Sequence, residues 1–264
     1  MSYDVIVVGG GVGGLTAAAY LTKAGYATLL CEKEAKCGGL VHTFERGGFV
    51  YDGGIRAMEN SGILFPMLKH LGLNVPFVKN EVTIGIEDRI MRVDSVDAVT
   101  EYQKLLTDLY PESAGEIAEI IERIRAIMRY MEIQYGINNP VFLDPKADRE
   151  YFLQAVLPWM FRYAATVPKV NALKEPVVDY LQRFTQNQSL LDIITQHFFR
   201  GTPAYFALSY FSLYLDYHYP RGGTGTLARE LERFIHEHGG AIVTDTRVVA
   251  VDPDRKCIDR KSVV

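Results

Sequence analysis

The stretch Asp4–Glu32, DVIVVGGGVGGLTAAAYLTKAGYATLLCE, limits what this chain can fold into more than any other part of it. An apolar run, Val5 to Val8, enters a glycine cluster, a helical pattern follows, and a second apolar run ends on an acid, which is a complete β-turn-α-β unit. The glycines fall as Gly9-x-Gly11-x-x-Gly14 between predicted strand and predicted helix, the setting in which a dinucleotide fingerprint has physical meaning. Gly9 permits a tight turn off the strand, Gly11 lets backbone approach a pyrophosphate, and Gly14 lets the helix pack on the sheet. Phosphates would sit at the helix N-terminus, where unpaired N–H groups and the helix dipole favour anions. Glu32, 32 − 9 = 23 positions beyond Gly9, is placed to accept hydrogen bonds from a ribose diol and to repel a 2′-phosphate.

Composition narrows the function classes. With 264 residues and 48% hydrophobic content the chain can bury a sizeable core in one or two domains, and a net charge of −4 gives no basic footprint for nucleic acid. Cys31, Cys37 and Cys257 form no CxxC pair and no metal spacing, so reduced thiols in a cytoplasmic setting are expected. His236 and His238 are spaced i,i+2, on different sides of a helix, which argues against a metal site. The N-terminal apolar residues run straight into glycines rather than forming a signal-type segment. The longest uncharged stretch, Gly201–Leu215, is shorter than the roughly 20 residues of a spanning helix and contains Pro203.

After Glu32 come CGGLVHTF (Cys37–Phe44) and FVYDGGIR (Phe49–Arg56), two further glycine doublets that imply backbone lying close to a long ligand. Together GGGVGGLTAA, CEK, CGGLVHTF and FVYDGGIR resemble the N-terminal flavin-binding segment of the amine oxidase and phytoene desaturase superfamily. The HTF and YDGGI residues are most similar to its branch of phytoene desaturase-like proteins, retinol saturases and carotenoid isomerases. The resemblance implies that Gly9, Gly11, Val12, Gly13 and Gly14 hold the ADP half of FAD, that Glu32 and the adjoining Lys33 meet the adenosine ribose, and that Gly38, Gly39 and Leu40 lie along the pyrophosphate and ribityl chain. Asp52, Gly53, Gly54 and Ile55 match the part that approaches the flavin. Where many relatives carry a basic residue after the second doublet, this chain has Leu40, so that pyrophosphate contact is missing.

Further along, Ser61–Leu71 reads as a helix, Val82–Ile86 and Ile90–Val93 as a hairpin, and residues 112–135 as an amphipathic helix with Ile117, Ile120, Ile121, Ile124, Met128 and Met131 on its core face. The aromatic run Tyr151–Tyr163 reads as a buried helix interrupted at Pro158. Its other uses would be lining a tunnel for a lipophilic substrate or meeting a bilayer surface. Ser189–Phe199 reads as another amphipathic helix, and the aromatics from Phe198 to Tyr219 serve either as core or as a substrate wall. The block YPRGGTGTLARELERF (Tyr219–Phe234), with the strands after it, is similar to the family's return to the flavin domain, in which the residue at Val248 contacts adenine through its backbone.

The expected fold is therefore α/β: a Rossmann-like FAD-binding domain of glutathione reductase type, discontinuous over residues 1–78 and 219–264, with an inserted α+β substrate-binding domain over 79–218. Family members continue well past the position of Val264, and the C-terminal part that closes the substrate domain and caps the flavin is expected to be absent. The implied activity is FAD-dependent hydride transfer to or from carbon–carbon bonds of an isoprenoid or other polyene. An amine oxidase or protoporphyrinogen oxidase-type enzyme and a non-catalytic nucleotide-binding fragment are the alternatives. No catalytic residue is evident; Arg56 and His42 are the polar residues expected nearest the flavin.

Overall fold

The structure is a computed structural model that describes residues 2–144, 146–252, 254 and 257–262. It divides into two compact units, one formed by residues 1–58, 67–79 and 218–264, the other by 59–66 and 80–217. The short stretch 59–66 falls in the second unit.

The first unit is built on β1 (Val5–Val8), α1 (Val12–Lys23) and β2 (Thr28–Cys31). β2 lies between two parallel neighbours. β1 pairs with it from Val5↔Thr28 to Val8↔Cys31, and Ala241–Val243 pairs with it from Ala241↔Leu29 to Val243↔Cys31. All four β2 residues are buried, as a strand flanked on both edges and covered on both faces requires. Leu30, fully buried, contributes on the order of 1.5–3 kcal/mol through desolvation alone. The helix Gly225–Glu237 turns Leu227, Leu231, Phe234 and Ile235 inward and packs against α1, whose Leu15, Ala18, Ala19 and Thr22 are buried. A β-carbon at Gly240 would lie 2.6 Å from both Ile235 and Thr22, so the chain leaves this helix and enters Ala241–Val243 only as glycine. β3 (Thr43–Arg46) and β4 (Phe49–Asp52) form an antiparallel hairpin closed by Gly47 and Gly48, both at positive φ. Phe77–Lys79 pairs antiparallel with His218–Pro220, joining the two distant segments of this unit.

The second unit has its core on the helix Ala114–Tyr135. Ile117, Ile120, Ile121, Ile124, Met128 and Met131 are buried, the face that the helical spacing predicts. The predicted hairpin is Val82–Ile86 against Arg89–Val93, and Glu87 takes the left-handed conformation at its turn.

Three expectations need correction. The helix expected over Ser61–Leu71 is Leu64–Leu71, because Ser61 and Gly62 are left-handed at φ 43° and 67°; Asn60 caps it, its side-chain oxygen accepting from the Phe65 N–H at 3.0 Å. The helix expected over Ser189–Phe199 is Gln188–Thr195, capped by Asn187, which accepts from the Leu190 N–H at 3.2 Å. Tyr151–Tyr163 is neither interrupted at Pro158 nor buried. Helical backbone runs from Arg149 to Asn171, with a π-helical turn at Phe152–Val156 just before the proline, a widening that fits a residue with no N–H to donate. Val156 is buried, whereas Leu153, Leu157 and Phe161 are exposed, Phe161 at 73%.

Candidate functional site

The site grows from the end of β1. Gly9 sits at φ 100° and donates its N–H to the Cys31 carbonyl at 2.8 Å, which holds the turn on β2. A β-carbon at Gly14 would lie 1.9 Å from the Gly9 carbonyl oxygen, so the turn and the first coil of α1 close only with glycine there. Gly11 and Gly13 differ. Neither has positive φ, and a β-carbon on either would meet nothing within 4 Å. The chain's own packing therefore places no demand for glycine at these two positions. They border open space at a helix start with no side-chain cap and no acid in its first turn, a place where backbone N–H groups remain for an anion.

Glu32 closes the other side of this space. Its Oε2 accepts from the Gly10 N–H at 2.5 Å and its Oε1 from the Glu34 N–H at 2.9 Å, and the residue is 8% exposed. Each carboxylate oxygen keeps a further lone pair, enough to receive the two hydroxyls of a ribose. Lys33 pairs with Glu34 at 3.3 Å on the surface. The strand Thr246–Asp252, which carries Val248, starts beside this acid: the Thr246 N–H donates to the Glu32 carbonyl at 2.8 Å.

The glycine fingerprint singles out neither Gly10 nor Cys37. A β-carbon at Gly10 would come within 2.6 Å of the Cys37 sulfur and 3.0 Å of Glu32 Oε2, so packing around the turn requires glycine there too. The run of three consecutive glycines, one more than the fingerprint needs, was the available signal. Burial and the neighbouring Glu232 and Glu32 carboxylates push the Cys37 thiol up to about 12, so it packs as a neutral group. Cys31 and Cys37 are not joined in a disulfide, and among the described residues no group of three His, Cys, Asp or Glu is arranged to hold a metal.

The second doublet lies directly on the first turn. The Gly38 N–H donates to the Gly10 carbonyl at 2.7 Å, and Gly38 and Gly39 sit at φ 123° and 55°. Leu40 beside them is exposed, and its carbonyl accepts from the Ile55 N–H at 3.0 Å. For the third doublet the structure supplies a different reason for glycine. A β-carbon at Gly53 would fall 2.0 Å from the His42 ring, and one at Gly54 would fall 2.5 Å from the Leu40 carbonyl oxygen. These glycines let the Asp52–Ile55 segment press on Leu40–His42, and the His42 ring fills the space over Gly53.

Asp52 acts as a clasp. It accepts from the Tyr219 hydroxyl at 2.7 Å and from the Thr224 N–H and hydroxyl at 2.8 and 2.9 Å. Burial alone would push its carboxyl upward, but these hydrogen bonds, with Arg56 nearby, hold it below the usual aspartate range. A group depressed in the folded state adds stability that is present above its unfolded pKa and lost as pH falls through its folded one. The first unit should therefore lose stability on acidification below about pH 4, and Asp52→Asn should flatten that loss. Thermal denaturation from pH 3 to 7 checks this; identical pH dependence in both proteins would refute the clasp.

The second unit contains a cavity of about 370 Å³ between the Val82–Ile86 strand and the helices. Tyr102, His197, Phe198, Tyr210, Phe211 and Tyr214 line it, with Tyr210 edge-on to Phe198 and to Tyr214 at 5.2 and 4.8 Å between ring centres. The aromatic cluster is core in part, and the buried Phe211 belongs both to that core and to the lining of this cavity. Phe199, 92% exposed, belongs to neither.

Comparison with known proteins agrees with this arrangement. A family model described as NAD(P)-binding Rossmann-like domain matches residues 7–71. All-trans-retinol 13,14-reductase from Macaca fascicularis is 28% identical over 94% of this chain and 42% of its own length. Carotenoid 3,4-desaturase from Haloarcula japonica is 27% identical over 93% of this chain and 50% of its own length. The chain is similar to these two enzymes over nearly its whole length, and its residues 7–71 fit the Rossmann-like family model. It spans about half the length of the curated relatives it matches. A solved putrescine oxidase structure shares this fold, with a TM-score of 0.56 at 17% identity over 93% of this chain and 51% of that one. Among the described residues no helix is long and apolar enough to cross a membrane.

Proposed function

We propose that this phytoene desaturase-like chain carries the ADP-binding part of a FAD-dependent oxidoreductase that moves hydride to or from carbon–carbon bonds of a lipophilic isoprenoid or polyene. The observation that carries the cofactor reading is the pair Gly11 and Gly13, glycines that the protein's own packing does not require, at an uncapped helix start facing a carboxylate held in place by two backbone N–H groups. A pyrophosphate would take the N–H groups at the start of α1, and Glu32 would receive the adenosine ribose. Bound FAD would supply the redox chemistry by accepting or donating hydride. The residues of this chain would bind and orient it, and the Gly38–Leu40 segment would extend the cradle along the ligand. The aromatic chamber of the second unit and the names of the relatives, a retinol reductase and a carotenoid desaturase, support a lipophilic substrate.

Titrating the purified chain with FAD and following quenching of flavin fluorescence tests this reading. Saturable uptake of one FAD per chain, undisturbed by excess NADH, is expected. NADH displacing the flavin, or no uptake of FAD at all, would overturn it.

A further inference from the structure

We infer that the second unit holds a separate site for a single-chain amphiphile with a carboxylate head, that is, a long-chain fatty acid. The site is a trough of about 490 Å³ that runs along the C-terminal half of the helix Ala114–Tyr135, where its buried face meets its exposed one. Two adjacent stripes of that helix form it. Met128, Met131 and Tyr135, spaced i, i+3 and i+7, make an apolar floor, and Leu213 and Leu215 oppose them from the helix Tyr210–Leu215. Arg125, Arg129 and Glu132, spaced i, i+4 and i+7, make a charged wall. From Arg125 to Gly136 is 136 − 125 = 11 positions, or about 16 Å of helix at 1.5 Å per residue, so the trough has the length of an extended alkyl chain rather than of a compact ligand.

Its charge is arranged lengthwise. At one end Arg125 is fixed by donating to the Thr100 hydroxyl at 2.9 Å and by pairing with Glu122 at 3.7 Å, while Arg129, one turn on, has no hydrogen-bond or ion-pair partner among the described residues. Two guanidinium groups, one held and one free, suit a carboxylate, which takes paired N–H donors. At the other end stand Glu132 and Asp216, whose carboxylate accepts from the Ser61 N–H at 2.9 Å; Ser61 is held there in the left-handed conformation. Two acids at that end would repel a carboxylate and so set the direction of binding, head group to the arginines and tail over the methionines. The two methionines adapt to tails of differing shape, since their unbranched side chains repack readily.

This site uses none of the residues of the nucleotide reading, so it is tested on the chain without added flavin. Oleate and oleyl alcohol, both below their aggregation limits, are titrated by calorimetry into the wild-type chain, Arg129→Gln and Val96→Trp, the last placing bulk at the exposed rim. Oleate should bind wild type at least about tenfold more tightly than the alcohol, and Arg129→Gln should remove that preference without changing the melting temperature. Val96→Trp should weaken both ligands. Absence of oleate binding, equal affinity for the two ligands in wild type, or an unchanged preference in Arg129→Gln would overturn the assignment.

Discussion

Gly14→Ala should unfold the first unit at a markedly lower temperature than wild type. The added methyl would stand 1.9 Å from the Gly9 carbonyl oxygen, and the contact is with backbone, which cannot rotate away as a side chain can. Relief requires moving either the turn or the first coil of α1. The turn is tied to β2 through the Gly9 N–H and the Cys31 carbonyl, and α1 is tied to the core through Leu15, Ala18 and Ala19. Strain of this kind costs about 3 kcal/mol or more, beyond ordinary overpacking of a flexible core site. For a chain of this size that corresponds to a fall in melting temperature of roughly 6–12 °C, measurable by circular dichroism without any ligand. An unchanged melting temperature would show that the turn relaxes freely.

Gly11→Ala should give the opposite pattern. Gly11 lies at φ −68° and ψ 174°, a conformation open to any residue, and its β-carbon would meet nothing within 4 Å, so the folded chain should be as stable as wild type or slightly more so. FAD affinity should nevertheless fall. The methyl would occupy the space over the uncapped N–H groups, and hydrogen bonds to charged groups are worth about 1.5–3 kcal/mol each, which predicts a loss of roughly 10- to 150-fold. Parallel melting and flavin titration of the two variants separate the glycine that builds the turn from the glycine that leaves room for a ligand. If Gly11→Ala binds FAD as wild type does, the pyrophosphate is not where this reading puts it.

How far the sequence could be read depended on whether a residue's reason lay near it in the chain. Gly9, Gly14 and the position of Glu32 just past β2 were legible because strand, turn, helix and strand are contiguous and the geometry of that unit requires glycine at those two places. The Val82–Val93 hairpin and the buried stripe of Ala114–Tyr135 were legible from alternation and from helical spacing, both local patterns. The Gly53–Gly54 doublet looked the same as the others in sequence, and the segment match set it beside the flavin. What faces the missing side chains is His42 and Leu40, a relation that only tertiary packing reveals. Asp52 followed the same course: its partners are Tyr219 and Thr224, far along the chain. At Tyr151–Tyr163, aromatic density suggests burial and Pro158 suggests a break. The density proved to be an exposed face, and a wider helical turn accommodated the proline.

The distant partners of Asp52 and β2 also bear on how the molecule assembles. The carboxylate and its donors are separated by 167 and 172 residues, and β2 must wait for Ala241–Val243 to gain its second neighbour. The whole of residues 80–217 is synthesised between these halves and has its own core, so it can condense while the strands on either side are still unpaired. Closing so long a loop is slow, but a folded insert shortens the span that has to be searched. A ribosome-bound chain arrested before Thr224 should therefore show a protease-resistant helical insert flanked by labile N-terminal strands, and the nucleotide-binding turn should be among the last parts of the chain to become ordered.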